Sequence, residues 1–427
     1  MNNSIVYLCL LFLGYNGQLA GQNLKSIETL AKSIAEAPEM RNAGFGFSLR
    51  SVEGNEKLVE WNGDLSLTPA STLKTLTTAS ALILLGADYQ YETQLAYTGE
   101  IDGNGVLQGD LYIIGSGDPS LGSDQLESTP DLHQLLDRWV GEIKQLGIRS
   151  IQGQVIGDGT CFESSTTPAS WQWNDIGNYY GAGVSGLNIL ENLYYLDFEL
   201  SNSMKEGPKV AAIRPEIPYL ILHNELKTAG KGSGDNAYIY GAPYTYTRHI
   251  RGTLPLGPGP FTIKGSLPDA PFILAHWLTE ALTKNGVLVK GGISTKLEME
   301  TFNLPEGDQL KIFYKHLSPK LSEIVYRANK ESVNIYCEAM IKTIGLEKAG
   351  EGSLAAGLKA IQTLWESRGL DLEGVLIHDG SGLSPRNAIT TNDLTGMLRK
   401  LALDEAAFPP FSNSLPLAGR DGTLKNL

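Results

Sequence analysis

Ser71-Thr72-Leu73-Lys74 sets a hydroxyl and an amine three residues apart, at the start of an apolar-patterned segment that runs to Leu85. Residues at that spacing share one face of a helix, so the amine can reach the hydroxyl. A serine hydroxyl is a weak nucleophile until a base takes its proton. Lysine is such a base only when neutral, and moving its pKa from about 10.4 to near 7 takes roughly 4–5 kcal/mol of differential interaction. Burial beside other positive groups supplies it. A helix start adds unpaired N–H groups and a positive dipole end, both favourable to a developing oxyanion. A plainer role also fits: Ser71 as a helix cap and Lys74 in solvent. Ser-x-x-Lys arises by chance on the order of once in a chain this long. Here it occurs once, where a helix should begin.

Two further clusters carry chemistry. Ser332-Val333-Asn334 follows Asn329-Lys330-Glu331 and lies between two helical stretches. A hydroxyl and an amide on such a loop can relay a proton and hold a substrate amide. Alternatively, Ser332 caps the helix that follows. Asp379-Gly380-Ser381-Gly382-Leu383-Ser384 reads as a strand-to-loop turn that uses glycine for positive φ. The histidines (His133, His223, His249, His276, His316 and His378) show no metal-ligand spacing. A Ser–His–Asp triad lacks the Gly-x-Ser-x-Gly elbow that would support it. No glycine loop of phosphate-cradling form occurs, and no cofactor is expected.

The elements that must position these residues come in three blocks. First, Leu24–Ala35 has helical spacing. Gly44–Leu49 and Lys57–Asn62 alternate as a hairpin, and a strong helix spans about Ser71–Leu85 between Pro69 and Gly86. From about Tyr89 to Leu297 short strands dominate: Gly109–Gly115, Ile151–Gly157 and Leu193–Phe198, with helices at His133–Leu146 and Ala270–Asn285. Helices then return at Leu321–Ala328, Asn334–Ile344, Ser353–Ser367 and Asn392–Leu401, with a short strand at Val375–His378. A chain of 427 residues implies two or three domains.

Composition limits the function class. A net charge of -13, with no Lys/Arg run, argues against nucleic-acid binding. Ile5–Leu13 is an apolar run of export-signal length, giving an expected leader over 1–21, although no Lys or Arg precedes it. A buried N-terminal strand is the other reading of that run. No other apolar run suits a transmembrane span. Cys161 and Cys337 would remain after leader removal, and two buried thiols is the simplest reading of them.

The order Ser71-x-x-Lys74, Ser332-x-Asn334, Asp379-Gly-Ser-Gly-Leu-Ser resembles the penicillin-binding serine DD-peptidases. About 260 residues separate the first two motifs, more than a β-lactamase needs. That gap resembles class C low-molecular-mass penicillin-binding proteins, D-Ala-D-Ala carboxypeptidases and endopeptidases with domains inserted between these motifs. Gly115–Pro119, Ser318-Pro319 with Leu321, Asn329–Ser332 and Ala418–Leu424 are similar to that family too. The resemblance implies an α/β transpeptidase-like fold, with a central antiparallel sheet flanked by helices. Residues 22–86 and 298–427 would build it, with β-rich inserts over 87–297. It implies Ser71 as acylated nucleophile, Lys74 as base, Ser332 as proton relay to the leaving amine with Lys74, and Asn334 as holder of the substrate amide. The Ser71 N–H would be half of an oxyanion hole. Peptidoglycan stem peptides would be substrates, β-lactams inhibitors, and the periplasm or cell envelope the location. A β-lactamase or esterase on the same fold, or a non-catalytic cell-wall binding protein, are the competing readings. One departure is the family's Lys-Thr-Gly strand, which should follow Asp421–Leu424 and does not occur before Leu427. Lys227-Thr228-Ala229-Gly230 lacks its third-place glycine and precedes Ser332. A fragment of an active enzyme is therefore expected.

Overall fold

The computed structural model describes residues 20–302 and 309–426. The leader expected over 1–21 lies outside them as far as residue 19; Ala20–Ala35 is the first helix. The expected hairpin forms between Phe47–Arg50 and Lys57–Trp61, antiparallel, and it is the part of the expected central sheet seen among the described residues.

Two hydrophobic cores organise the chain. One gathers Leu95, Leu111, Trp139, Ile151, Tyr194, Phe198, Ile250 and Leu278 from the middle of the sequence. Its main sheet orders Ile293–Thr295, Val155–Asp158, Leu111–Ile114, Glu92–Tyr97 and Lys311–Leu317, parallel across the first three strands and antiparallel beyond. Helix Ala270–Lys284 packs against this sheet, and helix Leu132–Gln145 packs on that helix. The latter starts with a capping box, in which Asp131 accepts from the Gln134 N–H. Further strands form separate sheets, including Lys209–Arg214, Leu193–Glu199 and Pro260–Ser266.

The second core joins residues distant in sequence. Leu73, Leu76 and Leu82 meet Leu321, Ile324, Met340, Ile341, Ile344, Trp365 and Phe411. Helix Lys74–Leu84 lies against helices Leu321–Lys330 and Asn334–Ala349. Helix Asn334–Ala349 is buried over Ile335–Gly345, so its apolar residues cannot form a one-sided stripe. Each fully buried Leu, Ile or Met here contributes roughly 1.5–3 kcal/mol. This core therefore fixes the two helix starts that carry Ser71 with Lys74 and Asn334.

Three local expectations are corrected. The segment Ala70–Leu73 is a 3-10 turn, and the α-helix begins at Lys74 rather than Ser71. Val375–His378 is not a strand: Leu376 makes one isolated bridge to Ala388, and the His378 N–H goes to the Asn387 side chain in place of a ladder partner. Ser332 does not cap the following helix, whose N-cap is Val333 without a side-chain cap bond. The remaining cysteines are unpaired; Cys337 is buried and Cys161 half-buried.

Candidate active site

Ala70, just before Ser71, has φ +48°, a left-handed conformation that costs a non-glycine residue roughly 1–2 kcal/mol. The turn it opens leaves Ser71 exposed while Leu73 and Lys74 are buried. The nucleophile candidate thus faces outward and the amine lies beneath it.

Lys74 Nζ has three neighbours. It lies 3.0 Å from Ser71 Oγ and donates to Asn334 Oδ1 at 2.7 Å and to the Ser381 carbonyl at 2.8 Å. Two of these partners can only accept. A neutral amine has two N–H bonds and one lone pair. With both N–H groups spent on Asn334 and Ser381, the lone pair is left for the Ser71 hydroxyl. In its neutral form Lys74 would thus have the orientation a base requires, while the charged form would donate to Ser71 Oγ instead. Burial holds the Lys74 pKa below its ordinary value, while Cys337, Glu338 and Asp379 pull it the other way.

Asn334 is fixed from both ends, since its Nδ2 donates to the Tyr180 carbonyl at 2.7 Å. A carbonyl only accepts, so the Tyr180 carbonyl claims the NH2 end of this amide and leaves its oxygen for Lys74. Ser332 sits two residues earlier with φ +57°, on the loop between the helices. Among the described residues no hydrogen bond joins it to Ser71 or Lys74. The preceding Asn329 and Lys330 anchor that loop. Asn329 donates to Ser414 Oγ at 2.7 Å, and Lys330 binds both Asp421 oxygens at 2.8 Å and the Leu415 carbonyl at 2.7 Å.

From the sequence, Asp379–Ser384 reads as a turn and a mark of the family resemblance, with no role in the site. It is a turn, but it also shapes the site. Buried Asp379 accepts from Gly382 N, Ser384 N, Asn387 Nδ2 and Trp171 Nε1. His378, its neighbour in sequence, takes no part in this set. The turn presents the Ser381 carbonyl to Lys74. Glu338, which sequence reasoning missed, accepts from Gly380 N and Ser381 N beneath it. Its spacing was the available signal: Asn334, Glu338 and Lys342 recur every four residues on one face of an otherwise buried helix. Trp171 and the Tyr180 carbonyl bring the middle segment to the site. No group of three or more His, Cys, Asp or Glu able to hold a metal occurs among the described residues.

Over 436 residues the chain is 29% identical to a D-alanyl-D-alanine carboxypeptidase of Actinomadura sp. (strain R39), covering 99% of this chain and 78% of that protein. It is 24% identical over 390 residues to D-alanyl-D-alanine carboxypeptidase DacB of Haemophilus influenzae, covering 91% and 76%. The crystal structure of penicillin binding protein 4 (dacB) from Haemophilus influenzae matches with a TM-score of 0.75 at 23% identity, over 88% of this chain and 79% of that one. A second structure of that protein, complexed with a novel β-lactam, matches with a TM-score of 0.72 at 21% identity, over 93% and 82%. These likenesses show the fold, a mixed α/β transpeptidase type with several sheets. The D-Ala-D-Ala carboxypeptidase 3 (S13) family model matches residues 27–427. With that match over almost the whole sequence, the chain belongs to the D-Ala-D-Ala carboxypeptidase 3 (S13) family of serine-type DD-peptidases.

Proposed function

We propose that this enzyme cleaves the D-Ala-D-Ala or cross-link bond of peptidoglycan stem peptides through an ester on Ser71, with Lys74 as base. The observation that carries this reading is the Lys74 amine, whose two carbonyl partners leave its third position for Ser71 Oγ 3.0 Å away. Lys74 takes the Ser71 proton as Oγ attacks the carbonyl carbon of the penultimate D-Ala. The tetrahedral adduct collapses as the C–N bond breaks. The leaving amine takes the proton back from Lys74, with Ser332 as the relay. Water then attacks the ester, again with Lys74 as base, and frees Ser71. Asn334 receives the substrate's peptide amide.

β-Lactams acylate the same serine in this reading, because their strained amide meets the same nucleophile. Residues 22–86 and 298–427 supply the catalytic domain, a division supported from Leu321 onward by the separate core around helix Lys74–Leu84, whereas strand Lys311–Leu317 joins the sheet of the middle segment. Residues 87–297 are inserted between its parts. The cell envelope is the site of action; the apolar run Ile5–Leu13 and the cell-wall substrate support that. Among the described residues, no helix is long and apolar enough to cross a membrane.

The test is release of free D-Ala from a muramyl pentapeptide, followed beside cleavage of a cross-linked dimer. D-Ala release that vanishes in Ser71→Ala is the expected result. Undiminished release by that variant would refute the assignment.

A further inference from the structure

Glu338 is a carboxylate that the mechanism above does not use, and it lies one layer behind the reacting groups. It is 3% exposed. Its Oε1 accepts from Gly380 N at 3.0 Å and Ser381 N at 2.8 Å, and its Oε2 from Gly380 N at 3.1 Å. A buried carboxylate is tolerated only when donors surround it, and here two backbone amides of one turn do so. Ser381 is therefore gripped on both sides. Its N–H is held by Glu338, and its carbonyl accepts from Lys74 Nζ at 2.8 Å. Glu338 also shares its helix with Asn334, four residues earlier, whose Oδ1 is the other acceptor for the Lys74 amine. One helix thus controls both carbonyl partners of Lys74, one directly and one through the turn.

We propose that Glu338 is the positioning residue for Lys74: it fixes the Ser381 carbonyl, which directs the amine's remaining position at Ser71. The proposal rests on the reading of Lys74 as base.

The charged and titratable groups facing Glu338 are few. Lys74 approaches from the nucleophile helix and Asp379 from the turn, while Cys337 and Lys342 lie on its own helix. Burial raises the Glu338 pKa to about 7, with Asp379 adding to the rise and the turn's amides opposing it. A carboxylate in that range gains and loses its proton near neutral pH. In its ionised state it favours the charged form of Lys74.

The experiment measures acylation by a chromogenic cephalosporin across pH, separating the non-covalent binding constant from the acylation rate constant. In E338A the rate constant should fall by about 10²-fold with binding unchanged, as a misplaced base requires. E338Q keeps an oxygen for the two N–H groups but no charge. It should recover most of the rate and move the acid limb of the profile to lower pH, because the amine loses a neighbouring negative charge. A folded E338A that acylates at the wild-type rate overturns the proposal. So does an E338Q profile whose acid limb does not move, and that profile decides the matter if E338A does not fold. Failure of E338Q to fold also overturns it, since Glu338 would then be a determinant of the fold. Ser71→Ala in the same assay separates the two claims. Acylation surviving in Ser71→Ala removes the underlying reading. A silent Ser71→Ala beside wild-type-like Glu338 variants removes only this one.

Discussion

Lys74→Met is expected to slow acylation by a penicillin about 10³–10⁴-fold while the chain stays folded. The two halves of that result have different causes. Methionine fills the space of the buried aliphatic stem but has no lone pair of comparable basicity and no N–H. Ser71 then has no base, which removes the whole general-base contribution. The Asn334 and Ser381 carbonyls each lose a partner, at roughly 1–3 kcal/mol per unsatisfied group. Against this, the variant no longer has to bury an amine that burial already disfavours. Replacing a buried ionisable group with an apolar one of similar volume is often close to neutral. Stopped-flow acylation checks the rate, and a thermal melt checks the fold. The sign of the pH dependence follows as well. Lys74 acts when neutral and its pKa is depressed, so wild-type acylation should climb as pH rises through that depressed value. In Lys74→Met the climb should be absent over the same window.

Gly382→Ala should be the most damaging single-methyl change near the site. Gly382 has φ +83°, which disfavours any side chain. An added Cβ would also lie 1.8 Å from the Ala70 carbonyl oxygen and 2.5 Å from its carbon. Neither is a flexible side-chain end. Ala70 is itself in a left-handed conformation and immediately precedes Ser71. Relief of the clash must therefore move either the nucleophile's turn or the turn that presents the Ser381 carbonyl. A loss of roughly 3–5 kcal/mol is expected, at the high end for point substitutions. Denaturant unfolding measures that loss, and whatever protein remains folded should acylate poorly. Gly374→Ala, also at positive φ but with open space around the added carbon, should cost only about 1–2 kcal/mol. It serves as the control for conformation without collision.

Much of this site was legible in the chain because its logic is local. Ser71 and Lys74 are joined by a spacing, and Asn334 by its place at a helix start after a loop. What escaped was carried by the backbone. The Ser381 and Tyr180 carbonyls complete the Lys74 and Asn334 networks, yet a carbonyl has no residue identity to find in a sequence. Glu338 was open to detection as a charge on a buried face, but only once the helix was known to be buried all round. The Val375–His378 strand failed for a related reason. Its short apolar run is real, but the Asn387 side chain took a backbone N–H that a ladder needed. Long elements such as Ala270–Lys284 and Leu354–Ser367 were found to within a residue or so, because periodicity over many turns outweighs local competition.

The central claim is that Ser71 carries the acyl group. Incubation with benzylpenicillin, tryptic digestion and mass mapping of the modified peptide test it directly. A single penicilloyl adduct on Ser71, absent from Ser71→Ala, is the predicted result. An adduct on another residue, or one that forms equally in Ser71→Ala, would contradict the account.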